Sequence, residues 1–111
     1  MIAVLLSYLP LLLLTLAIES AIVAAAAPRE DRRAALRACL ALNLLTHPMA
    51  TLLFWRWQVD VLSLELLAFF LEWVGYADIL RLGKVAALRY ALLPNLLSAL
   101  AGAALWFACL A

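Results

Sequence analysis

Eight side chains stand inside long apolar runs of the 111-residue chain: Glu19, Asn43, Thr46, His47, Glu65, Glu72, Asn95 and Ser98. A charged group near the middle of a bilayer costs about 2.5 to 3.5 kcal/mol on insertion scales, so three glutamates in such runs call for compensation or use. Buried carboxylates tend to hold a proton or a partner, and an Asn amide can donate to one oxygen while accepting from another. The chemistry these types suggest is the holding of a proton or a cation. Glu65 and Glu72 are seven residues apart, two helical turns, and share a face; Asn43 and His47 are four apart, Asn95 and Ser98 three apart, and Thr15 lines up with Glu19.

The elements that position these groups follow from the apolar runs. Seventy per cent of the residues are hydrophobic and 14% charged, against about half and a quarter in a soluble domain. The charges are bunched between runs, so the expected spans are about 2–26, 36–55, 61–80 and 90–110, each near the roughly 20 residues a helix needs to cross hydrocarbon. The runs lack strict alternation, and backbone in lipid must satisfy its own hydrogen bonds, which leaves helices. The expected fold is all-α: a single four-helix transmembrane domain, 1–111, with up-down topology. Pro28 is expected in the first turn of the second helix, with Glu30 and Asp31 at the positive end of its dipole. The segment IVAAAAP offers small residues of the kind that precede a cleavage site, but without a basic leader or a short apolar stretch the first span is expected to be retained.

Orientation follows from the basic residues. Arg29, Arg32, Arg33 and Arg37 lie in the first link and Arg81, Lys84 and Arg89 in the third, against Arg56 alone on the other side. Positive charge retained inside then places both termini outside the cytoplasm, with Trp55, Trp57 and Trp106 at the outer interface and Tyr76 and Tyr90 nearer the inner one. Counting at 1.5 Å per residue from the cytoplasmic helix ends puts Glu19, Asn43, Glu72 and Asn95 in one layer, on the order of 10 to 13 Å deep. His47 and Glu65 fall about a turn and a half further out. Every helix thus gives at least one polar group to one level, as in a bundle-core site. Pro48 frees the carbonyl of Leu44 beside the histidine, and a kink there would widen the pocket.

The segments IES in the first span, NLLTHP in the second, LELLAFFLE in the third and PNLLSALAG in the fourth resemble a family of small, uncharacterised bacterial four-span membrane proteins. The resemblance covers nearly the whole chain and implies that Glu19, Asn43, Thr46, Pro48, Glu65, Glu72, Asn95 and Ser98 are signature positions. It supplies no activity. The family's second-span motif more often reads NxxTNP, so His47 departs from the usual asparagine, which bears on any role needing an amide there.

Blander readings stand beside these. Asn, Ser, Thr and protonated Glu hydrogen-bond across helices for about 0.6 to 2 kcal/mol each, so the layer also reads as structural glue. His47 reads as a hydrogen-bonded core histidine before it reads as a metal ligand, since no second His or Cys stands at ligand spacing; His47 and Glu65 are the weak candidates for a metal. Asp78, three residues before Arg81, is expected in an interfacial ion pair, and Ser98 with Gly102 forms a small-xxx-small pair suited to close helix contact. Cys39 and Cys109 fall near opposite ends of their spans, too far apart for a disulfide, and no motif points to a cofactor.

Three function classes result. The first is proton- or cation-linked binding or transport, resembling the small multidrug-resistance transporters in layout, though not in charge bias or in their glycine-rich third span. The second is an accessory or assembly subunit that meets other membrane subunits, or copies of itself, through helix faces such as Ala99 to Ala104. The third, an intramembrane enzyme, ranks lowest because HExxH, GxSxG and an activated nucleophile are missing. The lipid bilayer is the one required partner. Nucleic acid is not expected, because the basic links are short and the net charge is +1. Abundant Leu, Ala and Arg with a single Lys suggest a bacterial source and hence an inner-membrane, multi-pass location.

Overall fold

The computed structural model describes residues 2–110; the side chains of residues 2–8, 106, 109 and 110 lie outside that description, and with them the expectations for Trp106 and Cys109. Four helices make up the fold: α1 Ile2–Ala26, α2 Arg32–Trp57, α3 Val61–Ile79 and α4 Lys84–Leu110. No strand occurs among the described residues. Each helix packs on two others, in the pairs α1–α2, α2–α3, α3–α4 and α1–α4, so the four close a ring around a central seam. Pro10, Pro48 and Pro94 all lie within helices, which continue through them.

Three helices, α1, α2 and α4, are long and apolar enough to cross a membrane. The third candidate from the sequence, α3, is 19 residues long and sets itself apart by its charge, carrying the three acids Glu65, Glu72 and Asp78. Leucines cover the outside of the bundle, including Leu13, Leu44, Leu45, Leu66, Leu96 and Leu100. Such a surface is unfavourable in water and ordinary in lipid. The chain is a helical membrane protein.

Helix ends depart from the expected spans for identifiable reasons. Pro28 is not in the first turn of α2: residues 29–31 form a separate turn closed by Asp31 N–H donating to the Pro28 carbonyl at 2.9 Å, and the helix starts at Arg32. Glu30 and Asp31 therefore precede the first turn of the helix. At its other end α2 runs on to Trp57 and stops at Gln58, whose left-handed φ of 54° reverses the chain. Asp60 then caps α3, Oδ2 accepting from Ser63 N–H at 2.9 Å and Oδ1 from Ser63 Oγ at 2.7 Å. These two bonds favour the ionised carboxylate and hold the Asp60 pKa below the ordinary aspartate value. The Asp78–Arg81 ion pair is not formed. Arg81 turns left-handed at φ 52° past the end of α3, and its backbone N–H, at 3.3 Å from the Asp78 carbonyl, makes the local contact instead.

Packing is uneven along the bundle. A continuous buried cluster of Val23, Ala27, Ala35, Ala38, Cys39, Leu42, Tyr76, Ala87, Tyr90 and Ala91 fills the end where α1 and α3 finish and α2 and α4 begin. Alanines dominate there, which lets backbones approach closely. Tyr76 and Tyr90 are correspondingly core residues and not interfacial anchors, 1% and 3% exposed, with ring centroids 5.5 Å apart. Trp73 Nε1 donates to the Lys84 carbonyl at 2.7 Å, and Arg32 Nε donates to the Ala24 carbonyl at 2.9 Å, pinning both links at this end. Toward the other end, Leu12, Leu64 and Ala68 are buried apolar residues among those described. Among the described residues the expected close contact at Gly102 is not seen: a Cβ there would meet none of their atoms within 4 Å.

Candidate functional site

Five polar residues are buried together at mid-bundle: Glu19, Asn43, Thr46 and Glu72 at 1% exposure and Asn95 at 8%. They come from all four helices. Local backbone chemistry sets two of them. Asn43 Nδ2 donates to the Cys39 carbonyl at 2.9 Å, and Asn95 Nδ2 to the Ala91 carbonyl at 2.7 Å, in each case one turn back along its own helix. These bonds fix the amides against their helices and direct what remains of each group into the seam.

Glu72 is well partnered. Thr46 Oγ1 donates to its Oε1 at 3.5 Å across the α2–α3 contact, and Asn95 Nδ2, using its second hydrogen, donates to its Oε2 from α4. Glu19 is only half satisfied. Ser98 Oγ lies 3.2 Å from its Oε1 and 3.1 Å from the Asn95 carbonyl, and the one hydroxyl proton serves one of these acceptors at a time. Glu19 Oε2, Asn43 Oδ1 and His47 Nε2 are buried atoms without any hydrogen-bond partner. His47 Nε2 lies 4.0 Å from Glu19 Oε2, and one ligand atom each of Glu19, His47 and Glu72 lies within 4.8 Å of the others. Leaving a buried polar atom unpaired costs about 1 to 3 kcal/mol, so three at one level call for a partner that the described side chains do not supply.

The sequence-derived layer of Glu19, Asn43, Glu72 and Asn95 is thus found at one level, with Thr46 and Ser98 beside it. Two placements differ. His47 belongs to the inner cluster and not to a separate outer layer with Glu65, because α1 brings Glu19 up to it. It also lacks the hydrogen bond at Nε2 expected of a core histidine. Glu65 remains apart, half-buried in a groove of about 320 Å³ lined also by Leu11, His47, Thr51, Phe54 and Leu64. The groove runs from the α2–α3 link toward the cluster, with His47 common to both. The pairing of Glu19 with His47 spans two helices and has no spacing to announce it in the sequence.

No family model, curated protein or solved structure matches the chain.

Proposed function

We propose that this chain is a four-span inner-membrane protein of bacterial type whose mid-membrane carboxylate cluster binds a proton or cation, as a binding protein or small carrier. The observation that carries the reading is the meeting of Glu19, His47 and Glu72 from three helices, with Glu19 Oε2 and His47 Nε2 buried, 4.0 Å apart and without a hydrogen-bond partner. Structural glue would pair its donors and acceptors; here the acceptors are left over, which is what an exchangeable positive charge requires. Short links and the closed ring of helix contacts support up-down connectivity, with α3 crossing as the acidic fourth span and its acids turned inward or to an interface. The excess of Arg and Lys in the first and third links supports both termini outside, so that the groove opens outward and the alanine-rich end faces the cytoplasm.

The test is proton or cation movement in proteoliposomes of the whole chain, followed by an internal pH dye under an imposed potential. Glu19→Gln and Glu72→Gln are each expected to reduce the signal at least about tenfold while inserting normally. Fluxes equal to wild type in both variants would refute the reading.

A second reading is favoured by one observation. Gly102, Ala103 and Ala104 are exposed, and a Cβ at Gly102 would meet nothing within 4 Å among the described residues, a surface suited to packing on another membrane subunit. Native mass spectrometry after gentle extraction separates the two: a stoichiometric larger partner supports the accessory role, and a lone chain or small homo-oligomer the self-contained site.

A further inference from the structure

The cluster has more specific chemistry than a positive charge requires. It offers one imidazole nitrogen and two carboxylates, His47 Nε2 with Glu19 and Glu72, from three different helices. Mg²⁺ and Ca²⁺ prefer oxygen-only shells of six or more ligands, whereas a mixed imidazole and carboxylate set of low number suits zinc and its first-row neighbours. Charge points the same way. Two ionised carboxylates and a neutral imidazole sum to −2, which a divalent ion cancels; a monovalent ion would leave one negative charge unbalanced in a low-dielectric seam.

The surroundings are those of a ligand set held from behind. Thr46 and Asn95 donate to the two oxygens of Glu72, and Ser98 reaches Oε1 of Glu19, so Oε2 of Glu19 is the oxygen left bare. Metal-binding carboxylates are oriented by outer hydrogen bonds of this kind. Zinc bonded to N and O at about 2.0 to 2.2 Å brings its ligands to roughly 3.3 to 3.5 Å of one another. The 4.0 Å between His47 Nε2 and Glu19 Oε2 and the 4.8 Å limit for the set need closing by about 1 Å, within side-chain rotation. A fourth position remains for the unpaired Asn43 Oδ1 or for water entering by the groove that His47 and Glu65 share. Three protein ligands with one open position characterise zinc sites that exchange or react, as against closed structural ones.

We infer that Glu19, His47 and Glu72 form an intramembrane site for a zinc-class divalent metal ion, reached from the α2–α3 link along the groove at Glu65. The inference rests on the cation-binding reading above and names its ligand. His47 is the chain's only histidine, so an imidazole detected on the metal identifies the site without any mutation.

The experiment uses the full chain, with any affinity tag removed, in lipid nanodiscs with Zn²⁺ as the probe. Titration is expected to give one ion per chain, undisturbed by excess Mg²⁺. X-ray absorption of the wild-type complex should show a nitrogen and oxygen shell with a single imidazole. Glu19→Gln, Glu72→Gln and His47→Gln, each checked for helicity, should bind at least about tenfold more weakly. Binding well below one ion, affinity unchanged in all three variants, a shell without imidazole, or sulfur from the nearby Cys39 would each overturn the assignment. The proton flux assay on metal-free vesicles separates the two readings. Flux that still depends on Glu19 and Glu72 keeps the proton-linked function while the metal site falls, and loss of both results ends both.

Discussion

The two ends of the bundle are built differently. At the end holding the first and third links, alanines, Val23, Cys39 and two tyrosines with their rings in contact fill the seam, and both links are tied back by side-chain hydrogen bonds. Toward the end holding the α2–α3 link, a groove is lined by Glu65 and His47 among mostly apolar residues. The polar cluster sits between a plug and an opening. Under the proposed function, the groove is the side from which an ion would approach His47. The contrast also predicts where the stability of the fold resides: mainly in the plug, so that substitutions there should cost more than at the groove.

The largest effect expected from this contrast is at Tyr76, 1% exposed in the plug. In lipid the transfer of apolar groups from water contributes little, and the cost of truncation is mainly the cavity left behind, at about 24 cal/mol per Å³. Tyr76→Ala should therefore destabilise by about 2 to 3 kcal/mol in reversible unfolding from mixed micelles. Leu64→Ala borders the groove and enlarges a space already open, so it should cost less than half as much. Equal losses at the two positions would mean that the ends are equally packed and the contrast is false.

Glycines provide a finer comparison. A Cβ at Gly75 would collide with Cδ2 of Leu42, itself buried in the plug, and would lie 3.0 Å from Cδ1. Gly75→Ala should cost about 1 to 3 kcal/mol by overpacking, softened to the extent that the leucine can rotate. At Gly102 the added methyl meets nothing, and the better helix propensity of alanine should leave stability unchanged or raised by up to about 1 kcal/mol. The same micelle unfolding series measures both. A destabilising Gly102→Ala would reveal a contact at this position beyond those among the described residues.

Much of this molecule was legible because membrane helices write themselves in composition and depth in residue counts. The level shared by Glu19, Asn43, Glu72 and Asn95 follows from distance along each helix, which short links transmit without error. What could not be read was rotation and lateral approach. His47 and Glu65 share a groove as their depths suggest, but whether His47 faces Glu65 or Glu19 depends on how α1 leans on α2, and no spacing in either helix encodes that. Tyr76 and Tyr90 show the same limit. Their depth suits interfacial anchors, yet alanines on the facing helices let both rings into the seam. The third helix was ambiguous by the opposite route, since the three acids that make its site interesting are also more charge than an ordinary membrane span of that length carries.

The smallest expected effect is at Asp60, fully exposed beyond the open end, where the carboxylate caps α3 through Ser63. Its pKa is lower in the folded chain than in the unfolded one because the cap bonds favour the charged form. It therefore contributes stability above its ordinary value of 3.8, and that contribution is lost as pH falls through the lower folded value. Asp60→Ala removes both the cap and this acid dependence. Its melting temperature should lie slightly below that of wild type at neutral pH, and the two curves should converge as pH falls below the ordinary aspartate value. Parallel curves would show that the cap does not titrate with folding. Because Asp60 fixes the start of α3, and with it Val61, Leu64 and Glu65 on the groove wall, the same substitution should disturb access to the site more than the packing of the plug. Slower ion entry with unchanged equilibrium affinity is the expected signature. An effect on affinity alone would place the way in elsewhere.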